Sequence, residues 1–329
     1  MRIVVVGAGA MGALFGARFA EAGAEVVLFD RDADHIAAIA ADGLALTGPD
    51  GAERHHRLEA STDPAVIGAA DMALVMVDGN ATGAVAAMLA DRLPPGAFIL
   101  TLQNGIGNVE ALAAALGPDR VMAGNTYNSG ARLAPGRVAH TNLGETTIGE
   151  IDGSASARLT AIAALFQAAG LPVTASDNVM GHVWMKFVLN VALNPVAAIT
   201  GLRPGEIVRT APALAMVHRI LDEALAVVAA RGVSLPEPDP RGHVVDHAFT
   251  RYNRPSMLQH VEAGRRTEID SLNGALVREG DALGIPCPFN EAIVLSVKAL
   301  EARAVLRAAS PVLDEAALEA AARRATGPD

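Results

Sequence analysis

The fold of this chain is decided by residues 1 to 31, MRIVVVGAGAMGALFGARFAEAGAEVVLFDR. Residues 3 to 6 form a β-branched run, long enough for a strand buried on both faces and too short for a helix, which implies a parallel sheet. A glycine-rich turn, a helix-forming segment that stops at Gly23 and a second apolar run at residues 26 to 29 follow in that order. This succession predicts a βαβ unit at the start of a doubly wound α/β domain.

The turn after the first strand has the spacing G-x-G-x-x-G and consists of Gly7, Ala8, Gly9, Ala10, Met11 and Gly12. In such a turn the first glycine allows a tight bend, the second lets a pyrophosphate approach the backbone, and the third lets the helix pack on the strand. The phosphates then lie at the positive N-terminus of the helix. Asp30 follows the second apolar run, at the position where an acidic residue of these folds binds the hydroxyls of the adenosine ribose. We therefore predict a dinucleotide site; the alternative is a glycine-rich turn without a ligand.

Length and composition narrow the class of protein. With 329 residues, 51% of them hydrophobic and 3% aromatic, the chain can form two domains whose helices pack through small residues. A formal net charge of -10 argues against a nucleic-acid partner. Cys287 is the single cysteine, which excludes an intramolecular disulfide and predicts a reducing, cytoplasmic location.

Strand and helix patterns alternate in the first half of the chain, and helical periodicity dominates from Asn178 onward. We therefore predict a dinucleotide-binding Rossmann domain over residues 1–176 and an all-helical substrate and dimerisation domain over residues 177–329. Ser310 and Pro311 are predicted to begin a final helix, with serine as its cap.

A polar and glycine-rich segment follows the fourth predicted strand, which covers residues 98–102. Its sequence is Gln103-Asn104-Gly105-Ile106-Gly107-Asn108. Ligands bind at the carboxyl ends of the strands in open parallel sheets, so this segment is predicted to face a ligand.

Three polar residues, Lys186, Asn190 and Asn194, recur at every fourth position of an apolar segment. They therefore share one face of a predicted helix. A lysine and two amides in apolar surroundings cost free energy unless they have partners, which indicates a positioned acid with hydrogen-bonding groups. The alternative is a snorkelling lysine with two structural amides. The same polar residues argue against a membrane span over residues 182–200.

A further polar segment, residues 254–270, contains Ser256 and Glu268. These two residues are twelve positions apart and can share a helix face only if Gly264 does not break the helix. Taken alone, the charges of this segment would be a solvated face. His243 and His247 could lie on one helical turn, but no third ligand is evident, so we predict no metal site.

Five segments together resemble the ketopantoate reductase family, in the family's order and over nearly the whole chain. They are GAGAMG at 7–12, LQNGIGN at 102–108, KFVLNVALNP at 186–195, SMLQHVEAGRRTEIDSLNG at 256–274 and GIPCPFNE at 284–291. The resemblance implies a Rossmann domain followed by a helical domain, with catalysis in the cleft between them. By position it implies that Lys186 is the catalytic lysine, that Asn190 and Asn194 are substrate-side amides, that Asn104 lies near nicotinamide and substrate, and that Ser256 and Glu268 are the substrate-binding pair.

The activity that the resemblance implies is reduction of 2-dehydropantoate to pantoate, which feeds pantothenate and coenzyme A synthesis. Lys186 can stabilise the developing oxyanion and supply its proton, while Glu268 can hold the lysine or a substrate hydroxyl. The alternatives are reduction of another 2-oxo acid or an imine, and a non-catalytic nicotinamide-binding regulator. The presence of both Lys186 and Glu268 weakens the last of these. We also expect a homodimer.

The chain departs from the family pattern at residues that bear on the cofactor. The family implies NADP(H), and Arg31 agrees with a 2′-phosphate, but Asp30 favours a ribose diol and repels a phosphate. Asp78 stands where the family often has a lysine that helps to hold that phosphate. Both carboxylates suggest use of NAD(H). His260 replaces a frequent aspartate, and we have no physical account of that change.

Overall fold

The predicted βαβ opening is present in the structure, a computed structural model that describes residues 1–309, 319, 320 and 323. Ser310 and Pro311, the predicted start of the final helix, lie outside the described residues. The strands are β1 (Arg2–Val6), β2 (Glu25–Phe29), β3 (Leu44–Thr47), β4 (Glu53–His56), β5 (Glu59–Ser61), β6 (Met72–Val75), β7 (Phe98–Thr101), β8 (Val121–Thr126), β9 (Ser129–Ala134), β10 (Arg137–Asn142), β11 (Thr146–Glu150) and β12 (Val173–Ala175). The helices are α1 (Ala10–Glu21), α2 (Ala33–Asp42), α3 (Thr82–Arg92), α4 (Asn108–Leu116), α5 (Ala157–Ala168), α6 (Val179–Thr200), α7 (Pro204–Ile207), α8 (Ala211–Arg231), α9 (Pro240–Phe249), α10 (Ser256–Glu262), α11 (Asn273–Leu283) and α12 (Pro288–Ala309).

The main sheet has the strand order β12-β11-β8-β7-β6-β1-β2-β5 and is parallel except where β11 runs antiparallel to β8. Strand β1 lies between β2 and β6, and its residues 3 to 6 are almost completely buried. Apolar cores cover both faces of this sheet. The predicted fold class, a Rossmann-type sheet followed by helices, is confirmed.

A second, small sheet with the order β4-β3-β10-β9 was not predicted. Strand β9 passes over the start of α1, since a Cβ added to Gly130 would lie 3.4 Å from the Ala10 carbonyl oxygen. The glycine-rich turn is therefore bordered by this second sheet as well as by the main one.

Helix α6 is the centre of the helical part of the molecule. Asn178 caps it by accepting the Gly181 N–H at 3.2 Å, and α8, α10 and α12 pack around it. Among the described residues it is the one helix long and apolar enough to cross a membrane, but 78% of its most apolar window is buried inside the protein. This burial is that of a core helix.

Candidate active site

The glycine-rich turn has the geometry that a phosphate-binding turn needs. Gly7 has a positive φ of 98°, and its N–H donates to the Phe29 carbonyl at 2.9 Å. A Cβ added to Gly12 would lie 1.9 Å from the Gly7 carbonyl oxygen, so only glycine fits there. A Cβ at Gly9 would meet nothing within 4 Å, and no side chain caps α1. The N-terminus of α1 is therefore open to an anionic ligand.

The remaining residues predicted to contact the cofactor lie around this turn. Ala8 is buried, whereas Ala10 and Met11 are half-buried in the first turn of α1. Asp30 follows β2 and accepts the Asp32 N–H at 3.0 Å. Arg31 is exposed, and within the part of the chain that the structure describes its side chain has no ion pair or hydrogen bond. A carboxylate and an unpaired guanidinium thus stand side by side at the end of β2.

Lys186 joins the helical part of the molecule to the sheet. From α6, its Nζ donates to Oδ1 of Asn104 at 2.7 Å and to the backbone carbonyl of Thr126 at 2.7 Å. The ammonium also lies 5.9 Å from the ring centroid of Tyr127. Asn104 follows β7 and Thr126 ends β8, so both acceptors come from carboxyl ends of neighbouring strands. The structure therefore brings together Lys186 and Asn104, which the sequence analysis assigned to the same site without predicting a contact between them.

Burial moves the pKa values of Lys186 and Glu268 toward each other. Removal from water lowers the pKa of Lys186 from 10.5 to about 8, and the negative charge of Glu268 opposes this fall. Burial and the charge of Asp78 raise the pKa of Glu268 to about 7, against the effects of Lys186 and of a hydrogen bond with the Asn104 side chain. The two groups therefore titrate near neutral pH, as proton-transfer groups do.

The loop that carries Asn104 is fixed by buried amides. Gln103 donates to the Val77 carbonyl at 2.9 Å and to the Thr82 hydroxyl at 2.8 Å. The same hydroxyl donates to Oδ1 of Asn108 at 2.7 Å, and Nδ2 of Asn108 donates to the Asn104 carbonyl at 2.9 Å. Sequence reasoning placed this loop at the site but missed the supporting roles of these side chains.

Asn190 and Asn194 lie on the same helix as Lys186, and Ser256 begins a helix that packs on it. Asn190 is buried and Asn194 half-buried on α6, and no side chain among the described residues hydrogen-bonds to either amide. Ser256 is exposed at the start of α10, which packs on α6. Gly264, with a φ of 63°, follows the end of α10. Ser256 and Glu268 therefore do not share a helix face, because the helix ends between them.

Asp78 lies close enough to Glu268 for its charge to act on it, which the sequence did not indicate. It is exposed after β6, and its charge raises the pKa of Glu268 and acts in the same direction on His260. Burial nevertheless lowers the pKa of His260, whose Nδ1 is buried without a hydrogen-bond partner.

The rings of His243 and His247 are neighbours, with centroids 6.1 Å apart. Burial, together with the charges of Arg251 and His243, lowers the pKa of His247 to about 4. In residues 1–309 and the three described beyond them, no three His, Cys, Asp or Glu side chains form a group that could hold a metal ion.

Comparison with known proteins gives matches along most of the chain. Residues 3–153 match the family described as Ketopantoate reductase PanE/ApbA, and residues 178–301 match the one described as Ketopantoate reductase PanE/ApbA C terminal. The 2-dehydropantoate 2-reductase of Halobacterium salinarum is 36% identical over 288 residues, covering 88% of this chain and 95% of the relative. The enzyme of that name from Archaeoglobus fulgidus is 33% identical, covering 91% and 98%.

Solved structures resemble the chain over the same extent. The PanE/ApbA family ketopantoate reductase from Ralstonia eutropha JMP134 has a TM-score of 0.85 at 37% identity, covering 92% of this chain and 99% of that one. D-mandelate dehydrogenase, in a ternary structure with NADH and anilino(oxo)acetate, has a TM-score of 0.85 at 26% identity with the same coverage. Sequence motifs, fold and relatives agree, and the chain belongs to the ketopantoate reductase family.

Proposed function

We propose that this chain reduces 2-dehydropantoate to pantoate with a nicotinamide dinucleotide. The observation that carries the proposal is the position of Lys186, whose ammonium is held at 2.7 Å by both the Asn104 side chain and the Thr126 carbonyl. A buried cation fixed at the carboxyl ends of the strands is placed where an open parallel sheet binds its ligand. The family's relatives named 2-dehydropantoate 2-reductase support the same reaction.

Lys186 serves the reaction in two ways. Its ammonium stabilises the negative charge that develops on the carbonyl oxygen of the substrate. Its proton then goes to that oxygen, and a pKa of about 8 makes this transfer easier than an unperturbed lysine would. Because Asn104 and Thr126 already hold Nζ, the cation needs no reorganisation during the step.

Glu268 and Asn104 hold Lys186 in its reactive state. The carboxylate of Glu268 favours the protonated form of the lysine, and it is linked to Lys186 through the Asn104 side chain. The open amides of Asn190 and Asn194 and the hydroxyl of Ser256 are available to bind the carboxylate and hydroxyl oxygens of a substrate. We assign these three residues to substrate binding.

The residues around the glycine-rich turn fit a nicotinamide dinucleotide, which supplies a hydride when bound. Gly7, Gly9 and Gly12 leave the N-terminus of α1 open to its pyrophosphate. The carboxylate of Asp30 would accept hydrogen bonds from the hydroxyls of the adenosine ribose, while Arg31 would favour a 2′-phosphate. We infer that the family's discrimination against NADH is weakened or reversed here. The structure of D-mandelate dehydrogenase with NADH supports such a change within this fold.

The second candidate is reduction of another 2-oxo acid at the same site. The likeness to D-mandelate dehydrogenase favours it, because that protein matches this chain over the same extent as the ketopantoate reductase does. The chemistry of Lys186 is identical for any 2-oxo acid, so this candidate changes only the substrate.

A substrate panel tests the proposal. We would assay 2-dehydropantoate and aliphatic and aromatic 2-oxo acids with NADPH and with NADH. We expect 2-dehydropantoate to give the highest kcat/KM, and Lys186→Met to lower kcat about 10²- to 10⁴-fold while dinucleotide still binds. A higher kcat/KM for another 2-oxo acid would establish the second candidate. Near-normal turnover by Lys186→Met would refute the assigned chemistry.

Cofactor preference is tested with variants at the end of β2. We expect Asp30→Ala to weaken NADH binding, and Arg31→Ala to weaken NADPH binding more than NADH binding. A large NADPH advantage in the unmodified protein, measured in parallel kinetics, would contradict the inferred preference.

The proposal also includes a cytoplasmic homodimer. Helix α12 exposes Leu295, Val305 and Leu306, which a second copy could cover. Light scattering that gave the mass of one chain would reject the dimer.

A further inference from the structure

His35 is a fully buried histidine beneath the glycine-rich turn, and neither the motifs nor the catalytic chemistry accounts for it. It lies in the first turn of α2 with no exposed surface. Its Nε2 is 2.9 Å from the Ala8 carbonyl oxygen, and its Nδ1 accepts the Gly136 N–H at 3.0 Å. Since a carbonyl oxygen only accepts and an N–H only donates, the ring is the neutral tautomer with its hydrogen on Nε2.

The bond to Ala8 determines which way the next N–H points. The Ala8 carbonyl and the Gly9 N–H belong to one peptide group, and the described chain has no cis peptide bond. In a planar trans peptide the C=O and N–H point in opposite directions. When His35 holds the Ala8 oxygen on the inner side, the Gly9 N–H points to the other side.

That other side is the open one. A Cβ built on Gly9 meets no atom within 4 Å, and the N-terminus of α1 is not capped by any side chain. The Gly9 N–H is therefore presented where an anion can approach the start of the helix.

His35 is itself fixed by elements on two sides. Asp32 caps α2 by accepting the His35 N–H at 3.0 Å, and its other oxygen binds Arg132 of β9 at 2.6 Å. Gly136, which bonds to the ring, lies in the turn between β9 and β10 and is held in turn by the Ala45 N–H of β3. The second sheet therefore holds the imidazole in position through Gly136 and Arg132.

We propose that His35 is a positioning residue for the pyrophosphate of the dinucleotide. It does not touch the ligand; it holds the Ala8–Gly9 peptide so that the Gly9 N–H is oriented before binding. This inference rests on the proposed function for the presence of a dinucleotide. It gives the unpredicted second sheet a part in cofactor binding, because that sheet fixes the ring through Gly136.

Two substitutions separate the hydrogen bonds from the bulk of the ring. His35→Gln keeps one donor and one acceptor on a side chain of similar reach, whereas His35→Leu removes both. Ile39→Ala is the matched control, because Ile39 is also buried on α2 but its apolar side chain cannot form a hydrogen bond to the turn. His35→Asn, a smaller polar side chain that cannot reach both partners, is the second test if His35→Leu does not fold.

The measurement is the Kd of NADH and NADPH by calorimetry, with unfolding midpoints recorded for every variant. We expect His35→Leu and His35→Asn to raise Kd about tenfold, and His35→Gln to stay within about threefold of the unmodified protein. In kinetics, KM for the dinucleotide should rise by the same factor while kcat falls less than about twofold. Ile39→Ala should lower the unfolding midpoint without changing Kd.

The outcomes separate this inference from the proposed function. Unchanged Kd in folded His35→Leu and His35→Asn, or an equal rise in Ile39→Ala, would overturn the positioning role of His35. An unmodified protein that binds the dinucleotide but reduces no 2-oxo acid would overturn the proposed function alone. An unmodified protein that binds neither NADH nor NADPH would overturn both.

Discussion

The buried charge of Lys186 should make the stability of this protein depend on pH in a way that one substitution removes. The folded-state pKa of Lys186 is about 8, against 10.5 for an exposed lysine. Between these two values the unfolded chain binds a proton that the folded protein has released. The free energy of unfolding should therefore rise with pH through this interval, and Lys186→Met should not show this rise.

The size of the effect follows from the two pKa values. One pKa unit corresponds to about 1.4 kcal/mol, so the full fall from 10.5 to about 8 corresponds to about 3 kcal/mol. Between about pH 7 and about pH 10 the free energy of unfolding should therefore rise by about 2.5 kcal/mol, which is most of that amount. Most other groups titrate equally in the unmodified protein and in Lys186→Met. Glu268 is the exception, because loss of the lysine charge raises its pKa further; this makes Lys186→Met less stable as pH rises and so adds to the difference between the two proteins in the same direction.

The assay is urea unfolding of both proteins at several pH values, with Lys298→Met as control. The sequence contains only two lysines, and Lys298 is half-exposed in an ion pair with Asp270. Loss of such a surface pair should cost less than about 1 kcal/mol at any pH in this range. With only two lysines, carbon-13 NMR of the side chains can also follow Lys186 directly.

A constant difference in unfolding free energy between the unmodified protein and Lys186→Met from about pH 7 to about pH 10 would refute the reasoning. It would mean that Nζ keeps its ordinary proton affinity in the folded state, and that water reaches it.

The remaining predictions concern Glu268, Asp78 and the glycine-rich turn. Glu268→Gln removes the charge that favours protonated Lys186, so the alkaline limb of the reduction pH profile should move down by about one pH unit. Asp78→Asn removes the repulsion that raises the pKa of Glu268, so the acidic limb should move to lower pH; an unchanged limb would contradict the placement of Asp78. Gly12→Ala should prevent correct folding, because its Cβ would overlap the Gly7 carbonyl, as circular dichroism and solubility would show. Gly9→Ala should fold with a normal melting temperature yet bind the dinucleotide more weakly in calorimetry, and normal binding would reject the site.

The sequence predicted those features that depend on neighbouring residues. The order of strand, glycines and helix in residues 1 to 31 depends only on local conformation and spacing, and the structure contains it. The polar face of α6 was predicted from the helical repeat, which placed Lys186 correctly among buried neighbours. The sequence also indicated that Ser256 and Glu268 could share a helix face only if Gly264 did not break the helix. The helix does end before Gly264, which has a positive φ.

Features that depend on distant residues were not predictable. Strand β4, with the sequence ERHH, has no apolar alternation, so nothing in its own residues indicated that it would pair with β3 in the second sheet. His35 gave no signal because its partners come from the glycine-rich turn and from Gly136, about a hundred positions further along. Asp78 was assigned to cofactor preference from its departure from the family pattern, and the effect of its charge on Glu268 of the helical part was not evident from the sequence.

The two hydrogen bonds of Lys186 also make catalytic turnover depend on the packing of the helical part against the sheet. Thr126 belongs to β8 and Asn104 to the loop after β7, while the lysine belongs to α6. Ile106, two residues from Asn104, is packed in the core of the helices and so ties the same loop to both halves. A slight separation of the halves would withdraw the ammonium from its acceptors while each half kept its secondary structure. In mild denaturant, enzymatic activity should therefore vanish before the helical circular dichroism signal declines.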